Sequence, residues 1–255
     1  MTAAHAAPRR RSLLALLLFG CVSLVPWAVL DERPLNDHDP EFAGGVGPQA
    51  LAFAEGTLAD KAQLLTQRLV GHEERHPQLP QTLLLAWTGV TGWSRVNVRL
   101  ASLPWWLLLL LGTWLAARQL LEERLALLAA FLVGTLPVVQ HMSRKWFPHF
   151  FAAALAPVAL WLLLRSLRAA REEQHVDLAA CLGFGVVTGL RLHCHPIGVP
   201  DAALMTGLLV VGLVRLAGLR RTAGGLGGAV VLATLLGGPA LFAGSLREGL
   251  SLIHI

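Results

Sequence analysis

Residues 13–30 read LLALLLFGCVSLVPWAVL and are followed at 31–41 by DERPLNDHDPE. At about 1.5 Å per residue the apolar run crosses most of a hydrocarbon core that is roughly 30 Å thick, so it predicts a membrane-spanning helix. The acidic stretch, with Asp37, Asp39 and Glu41, then lies at the membrane surface. Carboxylates near lipid lose hydration, and such clusters usually mark chemistry or metal binding, although a solvated acidic loop is the alternative.

The composition of the whole chain places it in the membrane. Hydrophobic residues make up 55% of the 255 residues, charged residues 15%, and the mean hydropathy is +0.58. Soluble domains carry about a quarter charged residues. We therefore predict an all-α polytopic membrane protein. The net charge of +5 is interpreted through its placement around the spans, and nucleic acid is not expected as a partner.

Further apolar segments follow the first span in close succession. They predict membrane helices at about Leu100–Ala117, Leu125–Val139, Phe150–Leu164, Leu178–Leu192, Ala202–Leu216 and Leu226–Ala243. Together with the first span they give about seven transmembrane helices. Gly185-x-x-x-Gly189 and Gly224-x-x-x-Gly228 favour close approach of neighbouring helices, because small residues let backbones come together.

A large first loop separates the first span from the others. Leu51 to Leu69 shows apolar residues at three- and four-residue steps, which predicts an amphipathic helix lying in the membrane interface. The apolar segment Leu83 to Trp93 is too short to span. The predicted organisation is a cytoplasmic N-terminus at 1–12, the first transmembrane helix at 13–30, an extracytoplasmic loop with interfacial helices at 31–99, a helical bundle at 100–244, and a truncated or artefactual C-terminus at 245–255.

The arginines predict the orientation. Basic residues concentrate on cytoplasmic loops, and alternate turns of this chain are basic. These residues are Arg9–Arg11, then Arg118 and Arg124, then Arg165, Arg168 and Arg171, then Arg215, Arg220 and Arg221. The Asp37 loop is therefore expected on the outer face of the inner (cytoplasmic) membrane.

Three outer segments are expected to form one polar surface. They are the acidic loop, which extends to His76, the segment Gln140–Trp146, and the segment Arg191–Pro196. Arg144 and Lys145 depart from the positive-inside pattern. This departure indicates either a functional role outside or an interfacial anchor beside an aromatic residue.

The order of short motifs along the chain resembles a family. The motifs are the acidic loop with Asp37 and Asp39, His76-Pro77-Gln78-Leu79, Arg99-Leu100-Ala101-Ser102, Ser143-Arg144, and a glycine-rich span from Gly183 to Gly198 that contains Arg191. This order is similar to that of the GT-C membrane glycosyltransferases, in the branch of protein O-mannosyltransferases and lipid A aminoarabinose transferases. Gln78 replaces a frequent second proline, and Pro80-Gln81-Thr82 replaces the usual aromatic pair. The acidic motif also departs from the common Asp-Glu pair, unless Asp31-Glu32 fills that role.

The resemblance implies transfer of a sugar from a polyprenyl-phosphate donor to a hydroxyl of a glycan, lipid or protein acceptor, as in cell-envelope lipopolysaccharide or protein glycosylation. Asp37 or Asp39 is then the general base. The predicted phosphate-binding residues are Arg144, Lys145 and Arg191, and the predicted supporting residues are Glu41, His76 and Arg99. A divalent metal is an alternative way to neutralise the phosphate; no other cofactor is expected.

Two other classes of function stay open. His72-Glu73-Glu74-Arg75-His76 matches the His-Glu-x-x-His signature of zinc peptidases, which needs both histidines on one face of a continuous helix. Gly71 and Pro77 flank the motif, so it is expected to fall at a helix end. A non-enzymatic membrane protein or transporter is the third class, and spans nearly free of central charges disfavour a transporter.

Overall fold

The computed structural model describes residues 10–30, 53, 55–70, 79–143, 148–173, 175–194 and 198–240. These residues form eleven helices and include no strand, which confirms the all-α class. The helices are α1 (Arg10–Leu30), α2 (Leu58–Val70), α3 (Leu79–Thr91), α4 (Arg95–Leu100), α5 (Leu103–Ala117), α6 (Glu123–Thr135), α7 (Pro137–Ser143), α8 (Pro148–Glu172), α9 (Leu178–Cys194), α10 (Val199–Ala217) and α11 (Leu219–Ala240).

Several of the described helices are long and apolar enough to cross a membrane, so the chain is an integral membrane protein. Three meet the length and hydropathy requirements alone, namely Val96–Ala117, His149–Glu172 and Val199–Ala217. The pair α6 and α7 adds a fourth if it forms one broken span. The expected number of about seven spans stays a prediction.

A sharp bend separates α6 from α7. The sequence predicted one span from Leu125 to Val139, whereas the two helices are inclined by 66°. Pro137 has no N–H and disfavours a helical conformation of the preceding residue, and Leu136 has ψ 128°. The side-chain amide of Gln140 donates a hydrogen bond of 2.6 Å through Nε2 to the carbonyl of Gly134. The side chain thus satisfies a carbonyl near the end of α6 and stabilises the bend.

Helix α2 begins later than the apolar periodicity predicted. Thr57 and Asp60 form a reciprocal cap. The backbone N–H of Thr57 donates to Asp60 Oδ2 at 2.9 Å, and the backbone N–H of Asp60 donates to Thr57 Oγ1 at 3.3 Å. This arrangement satisfies donors at a helix start, which places the first helical residue at Leu58. Hydrogen bonds from the Thr57 side chain and backbone hold the pKa of the Asp60 carboxyl below its usual value.

Side-chain hydrogen bonds join α3 to α4. Gly92 has a positive φ of 85° and reverses the chain after α3. The side-chain amide of Asn97 donates through Nδ2 to the carbonyls of Thr91 and Gly92, at 2.6 and 2.9 Å. Trp87 Nε1 donates to the carbonyl of Asn97 at 2.8 Å. These bonds fix the short helix α4, which carries Arg99, against the end of α3.

Helix α8 lies at the centre of the described bundle and packs against α5, α9 and α10. Its aromatic start meets α5: the rings of Phe151 and Trp105 are 4.9 Å apart in an edge-to-face arrangement. Phe150 and Trp106 are fully buried in the same region. In a membrane, close van der Waals packing of this kind holds helices together, because lipid chains are as apolar as the side chains. The start of α8 is therefore fixed against α5.

Helices α9 and α11 approach each other closely. A Cβ on Gly185 would lie 2.3 Å from the carbonyl oxygen of Ala229, and one on Gly189 would lie 2.7 Å from Leu236 Cβ. The predicted packing role of this glycine pair is therefore confirmed. In the second pair, a Cβ on Gly228 would meet Leu182 at 2.6 Å, whereas Gly224 faces open space.

We predict that Gly185→Ala lowers the free energy of unfolding by about 1–3 kcal/mol, because the added methyl group meets the backbone of α11. Gly207→Ala is the matched control, since nothing lies within 4 Å of its Cβ position on α10. Alanine there is expected to be neutral or slightly stabilising. Thermal unfolding of both variants in the same lipid would measure the difference, and equal stability would contradict the close approach of α9 and α11.

Candidate functional site

Of the residues that the sequence predicted for the site, the structure describes Arg99 and Arg191. The other predicted site residues lie outside the described residues; they are Asp37, Asp39, Glu41, His76, Arg144 and Lys145. The His-Glu-x-x-His motif at 72–76 also lies outside the described residues. The geometry of the candidate site is therefore the geometry around the two arginines.

Arg191 lies in the last turn of α9 and is held by three helices. Its side chain is 3% exposed. Its Nε donates to the carbonyl of Ala152 on α8 at 3.2 Å. Its Nη2 forms an ion pair with the carboxylate of Asp201, in the first turn of α10. Because a buried guanidinium needs a counter-charge and acceptors, these two contacts determine where the side chain lies.

The Arg191–Asp201 pair is incompletely satisfied. Within the described part of the chain, Arg191 Nη1 and Asp201 Oδ1 are buried and have no hydrogen-bond partner. A buried unpaired polar group costs about 1–3 kcal/mol. A phosphate oxygen is a good acceptor for a free guanidinium N–H, because such charge-assisted bonds are short and strong. The side chain of Asp201 is 44% exposed as a whole, so the pair lies close to the surface even though Oδ1 is covered.

An apolar groove lies beside Arg191, and Leu192, the next residue of α9, is part of its wall. It has a volume of about 330 Å³ and lies between α9, α10 and α11. Its walls include Phe184, Thr188, Ala202 and Leu209. Thr188 precedes Arg191 by three residues and therefore lies on the same side of α9. Of the described residues of α9, Thr188 and Leu192 are therefore the parts of the groove wall nearest to Arg191.

Arg99 occupies the last turn of α4 and is buried. Its neighbours Val98 and Ala101 belong to an apolar cluster that also contains Ala152 of α8 and Cys194 of α9. The structure thus places α4, the start of α8 and the end of α9 around one cluster. The supporting role of Arg99 stays a prediction.

Sequence reasoning missed Asp201. A carboxylate directly after Pro200, at the start of an otherwise apolar helix, was a visible signal. An ionisable group in that position needs a partner, and Arg191 is ten residues earlier, across the turn from α9 to α10.

A divalent metal stays an open alternative for neutralising the phosphate. Among the described residues, no group of three histidine, cysteine, aspartate or glutamate side chains is arranged to hold a metal ion.

We predict that Asp201→Leu lowers the free energy of unfolding by about 1–3 kcal/mol, because it leaves the Arg191 guanidinium buried without its counter-ion. The double variant Arg191→Met/Asp201→Leu is expected to recover most of that loss. Arg215→Met, which removes an exposed arginine from the end of α10, serves as the control. Chemical denaturation would measure these variants and the wild type, and a double variant no more stable than Asp201→Leu would contradict the ion pair.

Comparison with known proteins identifies one family. Residues 75–199, just under half of the chain, match the family model described as dolichyl-phosphate-mannose-protein mannosyltransferase. No curated protein and no solved structure matches the chain. The matched segment contains Arg99, Arg144, Lys145 and Arg191 and ends two residues before Asp201. Over residues 75–199 the predicted resemblance to the GT-C membrane glycosyltransferases is therefore confirmed.

Proposed function

We propose that this chain transfers a sugar from a polyprenyl-phosphate donor to an acceptor hydroxyl on the extracytoplasmic face of the inner membrane, with inversion of the anomeric centre. The observation that carries the proposal is the buried Arg191, held by Asp201 beside an apolar groove. The family match supports a membrane glycosyltransferase of the mannosyltransferase-like GT-C kind.

The donor has an anionic phosphate on a long apolar chain, and the site offers a matching pair of surfaces. The guanidinium of Arg191 would bind the phosphate through its unpartnered Nη1. The groove between α9, α10 and α11 would take the first isoprene units of the chain, since its walls are mainly apolar. Arg144 and Lys145 would add positive charge where the donor phosphate leaves.

The reaction is a single displacement. The acceptor hydroxyl attacks the anomeric carbon, its proton passes to the carboxylate of Asp37 or Asp39, and the bond from that carbon to the phosphate oxygen breaks. The polyprenyl phosphate leaves with the electron pair. Arg191 would stabilise the charge that develops on the departing oxygen, because a fixed donor in a site shielded from water needs no reorganisation.

Asp201 would keep Arg191 in place before the donor arrives. A guanidinium can donate in several directions, so Arg191 would retain Asp201 on one side while it binds the phosphate on the other. The glycan, lipid or protein acceptor would approach from the side of the acidic loop.

We predict that release of polyprenyl phosphate falls by about 10²–10⁴-fold in either Asp37→Asn or Asp39→Asn, whichever residue is the base. Arg191→Gln should lower turnover by about 10²–10³-fold, as expected for loss of one donor to the developing charge. The measurement uses membranes containing the chain and a panel of labelled polyprenyl-phosphate sugars. Arg215→Gln, an exposed arginine at the far end of α10, should leave turnover unchanged.

Turnover that is indifferent to both aspartates and to Arg191 would contradict the proposal. No release of polyprenyl phosphate from any donor, together with zinc bound through His72 and His76, would favour the peptidase alternative instead.

A further inference from the structure

A second and larger cavity lies at the opposite end of the bundle. Its volume is about 590 Å³, and it is formed by the end of α5, the last turns of α8 and the loop that leads into α9. Polar residues from all three elements line it, among them Arg118, Arg165, Arg168 and Glu173, together with the aromatic ring of Trp161.

This cavity is distinct from the Arg191 site. Helices α8 and α9 run antiparallel, since Ala152 contacts Arg191 at one end and Arg165 contacts Asp177 at the other. Ala152 and Arg165 are thirteen residues apart on α8, which corresponds to roughly 20 Å along a helix axis. The cavity therefore lies at the end that the arginine pattern predicts to be cytoplasmic.

The arginines of the cavity are held in fixed positions by carboxylates. Arg165 Nε donates to Asp177 Oδ2 at 2.8 Å, and Arg168 Nε donates to Glu172 Oε1 at 3.0 Å. Trp161, Arg165 and Arg168 follow each other at steps of four and three residues and thus share one face of α8. Both ion pairs use Nε, and among the described residues the terminal Nη groups of the two guanidinium groups have no further acceptor.

Asp177 stabilises this arrangement. Burial on its own would raise the pKa of its carboxyl, but hydrogen bonds from the Ala180 amide and the Arg165 guanidinium outweigh burial, and the pKa lies below its usual value. The carboxylate accepts the Ala180 amide at 3.0 Å and so caps the start of α9. The Arg165 guanidinium is therefore tied to the helix that forms one wall of the cavity.

The charges that line the cavity are of both signs. Arg165 and Arg168 are already balanced by carboxylates, and Glu173 adds a further, largely exposed carboxylate that pairs with His175 at 3.2 Å. A purely anionic ligand would be attracted by the arginines but repelled by Glu173. A ligand with one phosphate and one ammonium group would match both.

The surroundings of the cavity favour a lipid. Trp161 lies in a helix that is long and apolar enough to cross a membrane, and tryptophan is typical of the headgroup level. Leu120 and Leu121, directly after the α5 wall, are exposed by 71% and 46%. Acyl chains would cover these side chains when a headgroup occupies the cavity.

We propose that this cavity binds the headgroup of a phosphoethanolamine phospholipid, with the phosphate on Arg165 and Arg168 and the ammonium group on Glu173. Charge-assisted hydrogen bonds to the phosphate and to the amine would hold the headgroup. Basic pockets between membrane helices at the cytoplasmic side bind anionic phospholipid headgroups, and the carboxylate of Glu173 would add an acceptor for the amine. The proposal is independent of the transferase reaction, because none of these residues belongs to the Arg191 site.

The test uses the full chain in nanodiscs of phosphatidylcholine alone, or with added phosphatidylethanolamine or phosphatidylglycerol. Native mass spectrometry would measure lipid retention, and thermal unfolding would measure stabilisation by the lipid. We expect phosphatidylethanolamine to be retained best. Arg168→Gln and Glu173→Gln should each weaken its retention about tenfold, the effect of losing one charged hydrogen bond. Arg171→Gln is the matched control on α8, because this exposed arginine does not line the cavity.

Equal retention of the three lipids, or a preference for phosphatidylglycerol, would overturn the proposal. So would an equal loss in Arg171→Gln and Arg168→Gln. Inorganic phosphate and soluble phosphoethanolamine are added to phosphatidylcholine nanodiscs as further arms, and full stabilisation by either would assign the cavity to a soluble ligand. Glu173 is largely exposed, so Glu173→Gln keeps the test decisive if Arg168→Gln fails to fold.

Discussion

A buried guanidinium needs a counter-charge and hydrogen-bond acceptors. Arg191 has both at the place where α8, α9 and α10 meet. The Ala152 carbonyl and the Asp201 carboxylate bind two of its nitrogens, and the third stays without a partner among the described residues. The ion pair of this residue therefore depends on how the three helices pack, and Arg191 is also the described residue on which the proposed donor site rests. The three helices must keep their relative positions for the ion pair to exist, and the remaining N–H groups are what an anionic substrate would use.

The helix contacts explain how that position is maintained. The aromatic side chains at the start of α8 fix it against α5, while Asp177 caps α9 and pairs with Arg165 at the other end of α8. Gly185 and Gly189 let α11 pack closely on α9, on the side where the apolar groove lies. The same antiparallel pair, α8 and α9, thus carries a polar site at each end, one beside an apolar groove and one among ion pairs.

The all-α membrane fold could be predicted from the sequence, because apolar runs in a charge-poor chain leave few folds other than a helical membrane bundle. Pro137 was visible, yet the apolar run was predicted as one span. The bend also depends on the side-chain amide of Gln140, which satisfies the Gly134 carbonyl, and the sequence alone does not show that contact. The order of short motifs placed Arg191 among the site residues. Its partner Asp201 was not predicted, because a contact across the turn between two helices depends on how α8 positions both. The cavity at Arg165 was missed for a similar reason: the spacing of Trp161, Arg165 and Arg168 shows one wall, whereas α5 supplies another.

Photo-crosslinking tests the central claim most directly, with a polyprenyl phosphate that carries a diazirine on its first isoprene unit. The full chain in nanodiscs would be irradiated and digested, and mass spectrometry would locate the modified residues. If the phosphate binds at Arg191, we predict crosslinks to Leu192, Val199 and Ala202 at the groove, and their loss in Arg191→Gln. Crosslinks confined to residues around Arg118 and Arg165, and unchanged in Arg191→Gln, would contradict a donor site at the Arg191–Asp201 pair.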